Sequence, residues 1–470
     1  MFTLWFIFCT GLFDKASILH GQVKFKGTMS NNIIKLITLL SFNISLAYAA
    51  YLWKAYPQFN PTTELLIYPC ENLWAELQHN LNLPFLLLST FILMIALLTS
   101  WYSSVDVILL SCLLLLIEVC LVGSFSCTNL FVFLLFFEAS ALPIYILIVY
   151  CGSSRRERLK ASYYFLFFTL YGSISLLLLI LNFYSLRHVN FIDESMLSQQ
   201  ASYSIWILLF IAFAVKIPLF PFHLWLPYAH VEASTATSII LAALMLKLGG
   251  YGMLKYMLPL FTIEIHLFFR PLALLICVIG TVYGGLVALR QLDLKRQVAF
   301  SSIAHMSFAT IGIFTLSEAG AKGAMYLMLS HGLTSAALFY LIGVLSDRYH
   351  TRSIMVYGGL LSTMPMFSFF LILSSLANIG FPGTSGFLPE LLIIISIVST
   401  SPFILFPVLV GMLFTTASTL VLLLRLLFGQ LKLLYFKSSW IDLTKIELYI
   451  LSILSSWIVL MGLYDVLSIV

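Results

Sequence analysis

Residues 213–234 read FAVKIPLFPFHLWLPYAHVEAS. An apolar run reaches a lysine, Lys216, and then meets Pro218, Pro221 and Pro227. Each proline removes a backbone N–H and crowds the preceding turn, so a regular helix cannot run through. In hydrocarbon such a break is tolerated only where the freed backbone is buried in protein or lines a cavity. A second stretch, IGFPGTSGFLPE at 379–390, has the same character, with Pro382, Pro389 and three glycines, and ends on a carboxylate, Glu390. Two interrupted helices beside ionisable residues in an apolar chain are a transporter signature.

The surrounding composition agrees. Of 470 residues, 61% are hydrophobic and 9% charged, against about a quarter charged in a soluble domain. That excludes a soluble fold and predicts an all-α polytopic membrane protein. The apolar runs are continuous and do not alternate, which argues against a β-barrel. The formal net charge of +5 is small and implies no nucleic-acid partner. The sequence has seven cysteines and no C-x-x-C pair. Cys112, Cys120, Cys127, Cys151 and Cys277 lie in or beside apolar runs and are expected as reduced, buried thiols; an iron–sulfur site needs clustered thiolates. No Gly-rich phosphate loop occurs. Met1 to Phe13 is apolar and short, with no basic residue before it, and reads as a first, weak membrane segment rather than a signal or transit peptide. So apolar a chain is hard to import after synthesis, which favours translation inside its own compartment.

At roughly 20 apolar residues per span, the chain holds about 14 candidates. They fall near 1–20, 33–53, 83–102, 106–122, 128–150, 162–184, 203–228, 236–260, 268–289, 298–316, 322–345, 363–398, 402–428 and 447–468. The two breaks lie about five spans apart. We therefore expect two inverted five-helix repeats, each with a discontinuous helix. The domains are then 1–102 for the N-terminal helices, 103–260 and 261–430 for the repeats, and 431–470 for the C-terminal helix. Basic residues follow the odd-numbered spans: Arg155, Arg156, Arg158 and Lys160; Arg290, Lys295 and Arg296; Arg348 and Arg352; Lys432, Lys437 and Lys445. Loops after even-numbered spans hold little, namely Arg187 and Lys322. The positive-inside rule places odd-span ends on the matrix or cytoplasmic side.

Several charges lie where insertion is costly, at about 2.5–3.5 kcal/mol each near mid-bilayer. Glu118 and Glu138 sit in the fourth and fifth spans, Lys216 before the first break, Lys247 mid-span in the eighth, His305 and His331 in the tenth and eleventh, and Glu390 at the second break. Each also has a structural reading: an ion-pair member for Glu138, snorkelling for Lys247, satisfied core histidines for His305 and His331, a helix-break support for Glu390. Glu118 fits either role. His223 follows Lys216 by seven residues and shares its face only if the helix is continuous. Histidine is the side chain that titrates near neutral pH, as a relay needs. A carboxylate and an ammonium about 7 Å apart at an effective dielectric of about 20 attract by about 2.4 kcal/mol. Moving Glu138 relative to Lys216 would thus change the lysine's hold on its proton. No H-x-x-x-H or H-x-x-E pair lies within a span, so a haem or zinc site fits poorly. A row of alternating ionisable groups through the middle of the bilayer, flanked by two broken helices, describes a proton path.

These segments resemble the antiporter-like proton-channel subunits of respiratory complex I, most of all the chain 4 type of NADH–ubiquinone oxidoreductase. The resemblance is carried by FFEASALPIYILI at 136–148, FAVKIPLFPFHLWLPYAHVEAS at 213–234, LAALMLKLGGYGMLKY at 241–256, QLDLKRQVAFSSIAHMSFATIG at 291–312, LSHGLTSAALFYLIGVLSDRYHTR at 329–352 and ANIGFPGTSGFLPE at 377–390. Together they cover most of 130–400. The resemblance implies that Glu138 tunes Lys216, that Lys247 bridges to the central His305 and His331, and that Glu390 is the terminal acid toward the exit side. Related chains 2 and 5 and the multisubunit cation/proton antiporters usually carry lysine at that last position, so glutamate favours chain 4 over the alternative, a sodium or potassium/proton antiporter subunit. A structural subunit with a decayed path would not keep the whole set. The resemblance further implies no cofactor or metal in this chain, with FMN, iron–sulfur clusters and ubiquinone held by other subunits. Its partners would be lipids and other membrane-arm subunits, including neighbouring antiporter-like chains. Its place would be the mitochondrial inner membrane, ahead of a bacterial plasma membrane. Two departures stand out. Ser234 and Thr237 replace the family's usual proline and glycine, and Leu388–Pro389 precede Glu390 where V-G is common.

Overall fold

A computed structural model of the chain describes residues 28–55, 71–101, 106–127, 129–153, 156–185, 199–430 and 442–463. The expected first span, 1–20, and the loop residues Arg155, Arg187, Lys432 and Lys437 lie outside the described residues. The described elements are α1 Thr28–Ala55, α2 Glu71–Thr99, α3 Val107–Ser126, α4 Leu130–Cys151, α5 Glu157–Ser185, α6 Gln199–Lys216, α7 Trp225–Glu232, α8 Thr235–Leu260 and α9 Ile263–Arg290. They continue with α10 Leu294–Phe314, α11 Glu318–Tyr349, α12 Pro365–Ile379, α13 Phe387–Thr400, α14 Pro402–Leu427 and α15 Lys445–Leu463. Among the described residues, 11 helices are long and apolar enough to cross a membrane, and shorter apolar helices flank the two breaks. The chain is a multi-pass, all-helical membrane protein. All the expected spans from 33–53 onward have a helical counterpart.

Burial sorts the helices. The spans of α8, α10 and α11 are buried almost throughout and form the centre. Outer helices turn large apolar side chains outward, such as Ile44 on α1, Phe167 on α5 and Phe403 on α14. That exposure suits a lipid surround and would be untenable in water.

Close approach around α8 depends on its glycines. A β-carbon on Gly252 would meet the Phe213 ring at 2.3 Å, and one on Gly250 would meet Met328 Sδ at 2.2 Å. The cluster thus wedges α8 between α6 and α11, the small-residue packing common in membranes. Two turns of α8, Leu241–Met245 and Met253–Met257, widen to π-helix, a form found mostly as single bulges at functional sites.

Both breaks appear where the prolines and glycines require them. At the first, Pro218 cannot continue the α6 ladder, and the indole Nε1 of Trp225 donates to Val215 O at 2.9 Å. A side chain from beyond the break thereby satisfies a carbonyl near the end of α6. At the second, α12 ends on Gly380 in the left-handed region (φ 79°), with Phe381 N–H donating to Leu376 O at 3.0 Å. This is a Schellman stop, and it reverses the chain before α13. At the α7–α8 turn, Ser234 caps α8 by accepting from Thr237 N–H, and the two hydroxyls lie 2.8 Å apart. The departure at these two positions therefore supplies a cap in place of the family's proline.

The loops with basic residues gather at one end. Ser153 N–H donates to Glu232 O at 2.8 Å, and Arg352 pairs with Glu232 at 3.5 Å. Leu294 N–H donates to Arg352 O at 2.9 Å, and Arg348 pairs with Glu447 on α15. The ends of α4, α7, α9 and α11 and the starts of α10 and α15 thus share one basic end.

Candidate functional site

The ionisable residues fall into two groups within the helical centre. The first lies at the α4–α6 contact. Lys216, 2% exposed, places Nζ 3.4 Å from Phe137 O and 4.3 Å from the centroid of the Phe137 ring. Glu138, the next residue, lines the same small cavity of about 20 Å³, with Thr169 and Ser173 of α5. A cavity of that size holds about one water. No direct ion pair joins Glu138 to Lys216, and the cation faces an aromatic ring and a carbonyl instead. Cation–π contact offsets part of the loss of hydration.

The second group is a continuous row across α8, α11, α10 and α13. Lys247, fully buried, donates to Ala242 O at 2.6 Å and lies 2.9 Å from His331 Nδ1. Ala242 belongs to the π-helical turn of α8, so the widened turn presents a carbonyl to the ammonium. His331 and His305 follow with ring centroids 5.8 Å apart. His305 Nδ1 then stands 3.9 Å from Glu390 Oε1. Glu390 sits in the first turn of α13, where the helix N-terminus favours a negative charge. Four buried groups that can each take up and release a proton therefore stand in sequence, with three links from Lys247 to Glu390.

The remaining expected residues stand apart from both groups. Glu118 accepts from Ser45 Oγ at 2.5 Å, across the α1–α3 contact. His223 lies past the break, so the helical register that would align it with Lys216 is lost. It is buried against the rings of Phe220, Tyr283 and Phe300, and neither ring nitrogen has a hydrogen-bond partner.

Three residues near the basic end have no site role in the sequence reading. His230 is fully buried with both ring nitrogens unpartnered. Glu232 joins Ser153 and Arg352. Lys295, 4% exposed, donates to Ala233 O at 2.9 Å and lines a cavity of about 890 Å³. The first two lie in the quoted stretch at 213–234, where the prolines drew attention. Lys295 was read as a loop charge. Among the described residues no three His, Cys, Asp or Glu side chains come together as metal ligands.

Comparison with known proteins gives the class first. Residues 127–416 match the membrane family described as NADH:quinone oxidoreductase/Mrp antiporter. The chain is 40% identical over 448 residues to NADH-ubiquinone oxidoreductase chain 4 of Chondrus crispus, covering 93% of this chain and 90% of that one. It is 38% identical to NADH-quinone oxidoreductase subunit M of Rickettsia felis, covering 82% and 78%. A chain in the structure of respiratory complex I from Thermus thermophilus with bound NADH superposes with a TM-score of 0.79 at 26% identity, covering 92% and 91%. The protein belongs to the NADH–ubiquinone oxidoreductase chain 4 family.

Proposed function

We propose that this chain is a proton-translocating subunit in the membrane arm of NADH:ubiquinone oxidoreductase, and that it works without a redox centre of its own. The observation that carries this reading is the buried row Lys247–His331–His305–Glu390, with links of 2.9 Å, 5.8 Å between ring centroids, and 3.9 Å. Ionisable side chains inside a membrane protein are costly, and where they persist they mark ion pathways and proton relays. Glu138 and Lys216 act as the gate of the first half. Shifting the carboxylate changes the lysine's hold on its proton, and the row passes the proton to Glu390. FMN, iron–sulfur clusters and quinone act in partner subunits, and other antiporter-like chains sit beside this one in the arm. The membrane is the mitochondrial inner membrane, in keeping with the chain 4 relatives from eukaryotes. The basic end faces the matrix.

The repeat reading, 103–260 and 261–430, is supported by order. Each unit runs three helices, then a broken one, then a single helix. An alternative as a sodium or potassium/proton antiporter subunit is disfavoured by the long, high-identity matches to chain 4 and subunit M. The test is Lys247→Ala in the assembled complex. Pumping in proteoliposomes should be lost while NADH oxidation by an artificial acceptor survives. Full pumping by an assembled variant would refute the row as a path.

A further inference from the structure

The row begins at Lys247, midway along α8, and a path needs a group that supplies it with protons from the basic end. His230 stands in that interval. Its ring stacks on Phe339 with centroids 4.4 Å apart and planes 10° from parallel. Phe339 lies eight residues beyond His331 on α11 and nine before Arg348, about 12–14 Å along the axis from each. His230 is therefore about halfway between the row and the basic loops. The cavity of about 890 Å³ comes up to the same level, lined by Ala233 to Ala236, Lys295 and Tyr340, the neighbour of Phe339. On the other side, α11 leads from Phe339 back to His331, whose Nδ1 lies 2.9 Å from Lys247 Nζ.

A purely structural account of His230 fits badly. A neutral imidazole always carries one N–H donor and one acceptor. Here the side chain is fully buried with no partner on either nitrogen, and an unmet buried polar group is destabilising. Phenylalanine would keep the stack and remove both orphaned atoms. If the fold were the only constraint, phenylalanine would serve better.

We propose that His230 carries protons from the basic-end cavity to the Lys247–His331 pair. This rests on the reading of the row as a proton path. A proton adds to the lone pair of one ring nitrogen and gives an imidazolium. The other nitrogen then releases its own proton toward Lys247 or His331 and keeps the bonding pair. The ring is left neutral in the opposite tautomer, and a half-turn about Cβ–Cγ restores the starting state. The net event moves one proton and consumes no oxidant or reductant. The stack on Phe339 holds the ring plane while either nitrogen is in use.

The experiment compares His230→Phe, His230→Gln and Lys247→Ala in the full complex, with assembly on native gels, NADH oxidation by an artificial acceptor, quinone reduction and pumping in proteoliposomes. His230→Phe should assemble at wild-type level, leave acceptor-linked NADH oxidation unchanged, and lower pumping and coupled quinone reduction by about a hundredfold, the lower end of the range for loss of a proton-transfer group. His230→Gln should show the same loss, since an amide does not carry a proton by titration. Wild-type pumping in either His230 variant overturns the proposal. So does failure of His230→Phe to assemble, because the nitrogens would then serve the fold. Loss in Lys247→Ala with normal His230 variants removes His230 alone from the path. Normal pumping in all three removes the path itself.

Discussion

Glu390 rests its carboxylate on the bare α-carbon of Gly380: a β-carbon there would lie 2.3 Å from Oε2. Gly380 also has φ 79°, a conformation that costs L residues about 1–2 kcal/mol. Gly383, in the same break, has φ 86° but nothing within 4 Å of an added β-carbon. The two glycines separate backbone strain from displacement of the acid. Gly380→Ala should lose coupled quinone reduction far more than Gly383→Ala, with assembly of both followed on native gels. Equal activities in assembled complex would mean that the position of Glu390 is not critical.

A similar comparison addresses the first group. Lys216 faces the Phe137 ring and carbonyl, while Glu138 shares its cavity without pairing directly. If Glu138 acts through its charge at a distance, Glu138→Asp should retain much of the turnover and Glu138→Gln should lose most of it. The measurement is quinone reduction coupled to pumping. Indistinguishable Asp and Gln variants would show that the residue serves shape alone.

The shared basic end yields a topological expectation. The Ser153–Glu232–Arg352 contacts bring the loops after α4 and α11 together, while Glu264, at the start of α9, belongs to the other end. Single cysteines at Glu157 and Thr351, in a chain with its own cysteines replaced by serine, should react with an impermeant thiol reagent from the negative side. A cysteine at Glu264 should react from the positive side. Labelling of 157 and 351 from different sides would break the arrangement.

Much of this architecture was readable from the sequence because a bilayer restricts the options. Length and hydropathy placed most described helices to within about five residues, although α2 begins at Glu71, twelve residues before the expected span, and Pro218, Pro221, Pro382 and Gly380 marked both breaks. Charges in apolar runs marked Lys247, His305, His331 and Glu390, which the fold joins in one row. What sequence could not supply was register across helices. His223 matched Lys216 by spacing alone, and the break removed that alignment. Glu118 fits either role by sequence, and the fold sets its carboxylate against Ser45 on α1. His230 passed unnoticed because burial without a partner is a property of packing. The same holds for the cavity beside Lys295, which forms from segments far apart in sequence.

The terminal group of the row must bind one proton and release it on the far side. Moving a proton against about 180 mV needs roughly 4 kcal/mol, at about 2.3 kcal/mol per charge per 100 mV. Nothing in the row supplies that energy, so it must arrive as a structural or electrostatic change from neighbouring subunits. The final residue then has to take the proton from His305 and give it up on the positive side. Glu390 is 8% exposed and 3.9 Å from His305 Nδ1, next to a break where backbone can line a path. A carboxylate does this work. An amine does it as well, with opposite charge, because it too binds and releases one proton. An amide of the same shape does neither. Glu390→Gln should therefore assemble and lose most of its pumping-coupled activity, whereas Glu390→Lys should keep part of it. The lysine reaches further than glutamate and will crowd Gly380, so partial rather than full activity is expected. Assembly is checked on native gels and pumping in proteoliposomes. If Glu390→Gln assembles and pumps like the wild type, the acid is only a support for the helix break, and the row must end at His305.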